Sequence, residues 1–219
     1  MYRHHCSHIP LQVQGKALII VLVAVAAMLG GLTASRFLLQ EPVEFRAASM
    51  FPEPRQLQPF ELVDGNGQPF TEADLTDRYT LVFFGFTNCP DICPDTLNQV
   101  AEAKRRLELM RVEQSNLPRV VFVSVDPERD EGQAMLDYVT WFDDDFKAIT
   151  GSDEALQELT RQVGALYVRM APDESGFYSV DHSGMIVIID PEAQMIGRFA
   201  QPIDTESMVA DLFELSRRG

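Results

Sequence analysis

The octet Tyr79–Phe86 (YTLVFFGF) is a nearly unbroken apolar run that leads straight into TNCPDICPDTL, residues 87–97. Successive side chains of a strand point to opposite faces, so a run of this kind is a strand covered on both sides. Val120–Val125 (VVFVSV) and Met185–Asp190 (MIVIID) read the same way. A double-covered sheet needs helices on each face, which restricts the chain to an α/β architecture.

The segments between these strands supply the helices. Pro94 suits the first position of a helix running to about Glu113, with Leu97, Val100, Leu107 and Met110 inward. Asp130–Phe142 and a segment from the Ser152 cap to about Val163 read as two more helices, and Asp204–Arg218 as a terminal one. Ahead of the first buried strand, Pro59–Phe70 alternates around Asp64-Gly65-Asn66-Gly67, a hairpin signal. Ala148–Thr150, Ala165–Met170 and Gln194–Ala200 read as further strands. The expected fold is a thioredoxin-like mixed sheet flanked by helices, because a cysteine pair stands where a buried strand gives way to a helix.

Residues Ala17–Ala34 carry no charge, and a helix of 18 residues spans about 27 Å, close to a bilayer core. The run is longer than the roughly 7–15 apolar residues of a signal peptide, and Thr33-Ala34-Ser35 is a weak cleavage site. The expectation is a tail at 1–16, a single-pass anchor at 17–39, a proline-bearing linker at 40–56 and a domain at 57–219. Arg3 and Lys16 precede the span, which places the N-terminus in the cytoplasm and the domain outside; Arg36, near the far end of the span, weighs the other way. His4, His5, Cys6 and His8 crowd the tail and are assigned no role.

All 33 acidic residues lie at or beyond Glu41, against 15 of the 18 basic ones, so the part after the anchor has a formal charge of −18. Phosphate backbones would repel it, which excludes nucleic acid as a natural partner.

Cys89 and Cys93 form a C-x-x-x-C pair. A helix N-terminus favours thiolate, which serves redox exchange and metal binding equally. Redox dithiols of this fold usually have C-x-x-C, and the extra residue leaves room for an ion. The domain has one histidine, His182, in a loop before the strand Met185–Asp190. Two thiolates and an imidazole make a soft three-donor set. Structural zinc takes four ligands, whereas Cu(I) accepts fewer and thiolate selects it. Met170, Met185 and Met195 fall in strand patterns and are expected in the core. The competing readings are a thiol–disulfide oxidoreductase and a structural disulfide. A thiol peroxidase fits less well, since Thr87 stands two residues before Cys89 rather than three.

Three segments, FGFTNCPDICPDTL (84–97), VSVDPERD (123–130) and VDHS (180–183), together resemble the Sco/SenC family of copper chaperones for cytochrome c oxidase assembly. The likeness extends from the Leu57 region to about Ala200. It implies a membrane-anchored thioredoxin-like domain in the periplasm, or in the mitochondrial intermembrane space. It implies Cu(I) or Cu(II) on Cys89, Cys93 and His182, delivered to the CuA centre of oxidase subunit II. The alternative implied is a thiol–disulfide oxidoreductase that keeps the subunit's cysteines reduced. Either way a thioredoxin-like reductant is needed, because a disulfide offers copper no thiolates. Asp126 and Asp130 match the family segment and are read as a strand-end turn and a helix cap.

Overall fold

The computed structural model describes residues 21–31, 44–174 and 176–218. The chain divides into two units, Met1–Glu44 and Phe45–Gly219. In the first, residues 21–31 are helical. Among the described residues no helix is long and apolar enough to cross a membrane. The expected anchor at 17–39 lies largely outside the described residues, as does the tail with His4, His5, Cys6 and His8.

The second unit is built on an eight-stranded mixed sheet. Its strands are β1 (Ala48–Gln56), β2 (Glu61–Asp64), β3 (Pro69–Thr71), β4 (Thr80–Gly85), β5 (Arg119–Ser124), β6 (Lys147–Thr150), β9 (Ile186–Ile189) and β10 (Gln194–Phe199). A separate two-stranded ribbon pairs β7 (Tyr167–Arg169) with β8 (Val180–His182). The order across the large sheet is β1-β10-β9-β4-β5-β6-β2-β3. The central trio β4, β5 and β6 is parallel, with Phe83 beside Phe122, and β9 joins β4 antiparallel. Four helices follow the chain: α1 (Ile92–Leu109), α2 (Gly132–Thr140), α3 (Asp153–Val163) and α4 (Thr205–Ser216).

The apolar run of β4 divides between two cores. Leu81 and Phe83 pack with Leu97 and Leu107 of α1, Met135 of α2 and Leu212 of α4. Val82 and Phe84 face the other way, against Leu156 and Leu159 of α3 together with Phe60 and Phe70. Each such burial contributes roughly 1.5–3 kcal/mol, so both faces of the strand must be apolar. This is the helix-flanked α/β mixed sheet that the sequence implies.

Four expectations need correction. Ala48–Gln56, read as linker, is edge strand β1, antiparallel to β10. Its prolines suggested a linker, but Pro52 and Pro54 fall where the pairing shifts between Met50 and Arg55, so no ladder donor is missed. The start of this segment is clamped: the Asp211 carboxylate of α4 accepts the N–H groups of Arg46, Ala47 and Ala48, each at 2.8 Å. Second, α1 begins at Ile92, so Pro94 is the third helical residue, where its missing N–H still costs nothing. It ends at Leu109, because Arg111 takes a positive φ of 62°, and Met110 is 46 % exposed instead of inward. Third, Met185 and Met195 are buried, but Met170 is exposed. Fourth, His182 ends a strand rather than lying in a loop.

Candidate metal centre

Strand β4 carries the chain to Gly85, a loop turns through 87–91, and α1 begins with Asp91 at its cap position. Cys93 is therefore in the first turn of α1 and fully buried, whereas Cys89 sits partly exposed in the loop. Both thiols are free. The Cys93 N–H, one of the unpaired donors of the helix start, points at Cys89 Sγ at 3.4 Å. The loop is closed behind it by the Cys89 N–H, which donates to the Phe86 carbonyl at 3.2 Å.

The third residue arrives from far away in the chain. His182 ends β8 and stands edge-on between Phe83 and Phe86, with ring centroids 6.0 Å away in each case. Its Nε2 is 3.2 Å from Cys93 Sγ. We assign the ring proton to Nδ1, because the Ser183 carbonyl lies 3.3 Å from it and can only accept. Nε2 then keeps its lone pair toward the sulfurs. The three donor atoms, two sulfurs and one nitrogen, lie within 4.8 Å of one another. This donor chemistry fits a soft ion, and the fixed Nδ1–H orients the imidazole as a ligand needs.

The two thiols differ. The hydrogen bond with Cys93 draws the Cys89 pKa down to about 5, against the opposing effect of burial, with the Cys93 N–H helping. The same hydrogen bond, together with burial, pushes Cys93 far up, so it holds its proton. A reactive thiolate thus sits at the surface with a protonated thiol behind it.

Gly85 makes the room. A Cβ there would lie 2.8 Å from both Cys93 Sγ and Phe122 Cε2. No side chain larger than hydrogen fits without displacing the sulfur.

The segment 123–130 supports the site without entering it. Asp130 is fully buried and accepts the Thr87 N–H at 2.8 Å, the Thr87 hydroxyl at 2.5 Å and the Ser124 hydroxyl at 2.6 Å. It ties the start of the cysteine loop to the end of β5. The cap position of α2 is Glu131, so Asp130 is a loop clamp and not the helix cap that its position suggested. Asp126 does form the strand-end turn, its carbonyl accepting the N–H groups of Arg129 and Asp130. Its buried carboxylate also accepts Arg129 Nε at 2.5 Å and the Tyr178 hydroxyl at 2.8 Å. Arg129 then bonds the Tyr178 carbonyl at 2.9 Å and lies over the Tyr178 ring at 3.7 Å. This fastens the segment that returns as β8 with His182. Sequence reasoning missed Gly85, Thr87, Arg129 and Tyr178 as supports. The acidic pair of the 123–130 segment was the available signal, but their partners are distant in the chain.

The SCO1/SenC family profile matches residues 50–217. A Stutzerimonas stutzeri protein named for copper binding is 33 % identical over 189 residues, 86 % of this chain and 89 % of its own length. The mitochondrial SCO2 homolog of Mus musculus is 37 % identical over 155 residues, 70 % of this chain and 59 % of its own. Among solved structures, Arabidopsis thaliana ScoI with copper bound is 32 % identical with a TM-score of 0.67, covering 74 % of this chain and 98 % of that one. Copper-bound ScoI of Bradyrhizobium japonicum is 29 % identical with a TM-score of 0.64, covering 73 % and 99 %. With its fold, its converging sulfurs and imidazole and these likenesses, the chain belongs to the SCO1/SenC family.

Proposed function

We propose that this protein is a membrane-anchored copper metallochaperone whose ligands are Cys89, Cys93 and His182. The observation that carries the reading is the convergence of two thiol sulfurs and an imidazole nitrogen within 4.8 Å, the imidazole reaching the site from the end of β8. Two copper-bound relatives of the same fold support the choice of ion. Copper is the cargo. Cys89 offers a thiolate at neutral pH, Cys93 gives up its proton as the ion enters, and His182 presents Nε2. The recipient is the CuA centre of cytochrome c oxidase subunit II, a reading supported by the family resemblance. The apolar run at 17–39 is the anchor, with the tail at 1–16 in the cytoplasm and the domain in the periplasm. The inner membrane of a bacterium is the matching location.

The unequal thiols favour a second reading, a thiol–disulfide oxidoreductase acting on the cysteines of subunit II. The Cys89 thiolate would attack one sulfur of the partner's disulfide and release its other sulfur as thiolate. Cys93 would then lose its proton and attack Cys89 Sγ, freeing the reduced partner. Two electrons pass to the partner, and a thioredoxin-like dithiol must reduce the new Cys89–Cys93 disulfide.

Anaerobic titration of the reduced protein with Cu(I) against a competing chelator tests the first reading. One ion per chain is expected, lost in Cys89→Ser and weakened in His182→Ala, with a larger histidine effect for Cu(II). Binding no tighter than that of Cys89→Ser would sink it. Disulfide exchange that needs both cysteines and ignores His182→Ala would favour the second reading.

A further inference from the structure

We propose that the solvent face of the β7–β8 ribbon, with Leu166, Val168 and Met170, is where the protein that takes copper from the site seats itself, meeting the ribbon with an apolar contact inside a basic rim. The inference rests on the reading of Cys89, Cys93 and His182 as a site that hands copper on.

A ribbon with one face in water should alternate apolar inward and polar outward. This one is reversed. Tyr167 packs on the core beside α3 and Arg169 lies against Tyr178, whereas Leu166, Val168 and Met170 are 75 %, 61 % and 46 % exposed. Residues two apart share a face of a strand, so the three form one stripe about 13 Å long. A contiguous apolar face left in water marks a surface that a partner covers.

The stripe adjoins the donor cluster. Tyr167 pairs with His182 across the ribbon. The Leu166 N–H donates to the Ser183 hydroxyl at 2.9 Å, and the Leu166 carbonyl accepts the Ser183 N–H at 2.9 Å. Ile92, the exposed residue before Cys93, stands with Cγ1 3.8 Å from the Cβ position of Gly184. Leu166 and Ile92 therefore both border the segment 182–184.

The chemistry of transfer names the occupant. A soft ion held by thiolates passes on when an acceptor thiolate replaces Cys89 and a second replaces Cys93, with a proton from the acceptor's thiols returning to Cys93; no electron moves. The acceptor must then touch Cys89, the partly exposed sulfur. An interface of ordinary size covers about 800 Å² on each side, a disc of about 16 Å radius, so an acceptor centred on the donor cluster also covers the ribbon. Leu109 and Met110 are exposed too, but Leu109 lies about 24 Å along α1 from Cys93, beyond that disc.

Charge gives the acceptor its rim. Asp91 and Asp95 at the start of α1 and Asp181, opposite Val168, are exposed, and among the described residues none of the three forms an ion pair. Arg169 is held on the other face by Glu128 at 2.7 Å and Asp153 at 3.7 Å. Arg129 is held by the buried Asp126. Arg198, which approaches Met185 Sδ at 3.9 Å, offsets one of the three acids. The surround stays acidic, and its complement is basic.

The test uses the full-length protein in detergent, reduced and loaded with one Cu(I), with copper-free oxidase subunit II as the acceptor. Copper in the separated acceptor is followed with time. Leu166→Thr/Val168→Thr is expected to hold Cu(I) as tightly as wild type and to transfer it about tenfold more slowly, while Leu109→Ser transfers at the wild-type rate. Wild-type transfer should slow as salt rises. Should an altered Cu(I) affinity betray a disturbed ribbon, Leu166→Ser alone, just outside the paired residues, repeats the comparison and is expected to slow transfer severalfold. Transfer as fast as wild type from the ribbon variants, or equal slowing by Leu109→Ser, would overturn the docking and leave the copper site standing. A rate indifferent to salt would overturn the basic rim. Wild type that binds copper but passes none to subunit II would overturn the acceptor and its seat together. Wild type that binds no copper would overturn the chaperone reading, and this one with it. A wild-type dimer in sedimentation that the ribbon variant dissolves would mean that a second copy covers the face, which also overturns the proposal.

Discussion

Cys93 Sγ and His182 Nε2 stand 3.2 Å apart although 89 residues separate them in the chain. The contact links the first turn of α1 to the last residue of β8. Phe83 and Phe86 flank the imidazole, and the Ser183 carbonyl sets its tautomer, so the nitrogen is aimed before any ion arrives.

The thiols should titrate apart. With Cys89 drawn down to about 5, its alkylation by iodoacetamide should be independent of pH near neutrality and fall about tenfold per pH unit below about 5. The sign follows from the charge: acid protonates the thiolate and removes the nucleophile. Cys93, pushed up, should stay unlabelled over the same range. Peptide mass spectrometry of the reduced apoprotein reads both; a Cys89 midpoint near 8.5 would contradict the assignment.

Gly85→Ala should harm stability and binding together. The new methyl meets Cys93 Sγ and Phe122 Cε2 at 2.8 Å, and relieving that overpacking costs roughly 1–3 kcal/mol. Urea unfolding measures the first effect and Cu(I) competition the second. Unchanged affinity would show that the sulfur can shift freely.

Arg129→Ala should destabilise by roughly 3 kcal/mol, because it strands the buried Asp126 carboxylate with only the Tyr178 hydroxyl. Adding Asp126→Asn should recover part of the loss, since a neutral amide tolerates burial better. A double-mutant cycle by chemical unfolding gives the coupling, and additive losses would deny the pair its role.

Asp130→Ala should cost roughly 2 kcal/mol by leaving the Thr87 and Ser124 donors without their acceptor. The cysteine loop should loosen, seen as faster amide exchange at Thr87. Unaltered exchange there would mean that the loop is held by other contacts.

Asp211→Ala should free the start of β1. Three N–H groups share that carboxylate, so Arg46–Ala48 should lose exchange protection while β4 and β5 keep theirs. Uniform loss across the sheet would indicate global destabilisation instead.

The sequence alone determined much of this molecule. The run Tyr79–Phe86 could be read as a doubly buried strand, because side chains alternate and both faces here are apolar. Cys89 and Cys93 could be placed at a strand–helix junction because Pro94 and the spacing of Leu97, Val100 and Leu107 are local signals. Other features existed only in three dimensions. Edge strand β1 gains its place from backbone pairing with β10 and from Asp211, and neither demands an apolar pattern from residues that also include two prolines. The burial of Asp126 and Asp130 depends on Tyr178, Arg129 and Thr87, whose nearness no spacing encodes. His182 looked like a lone histidine. The separate ribbon of β7 and β8 ends in His182 beside the first turn of α1, and only that meeting turns three scattered residues into one cluster of donors.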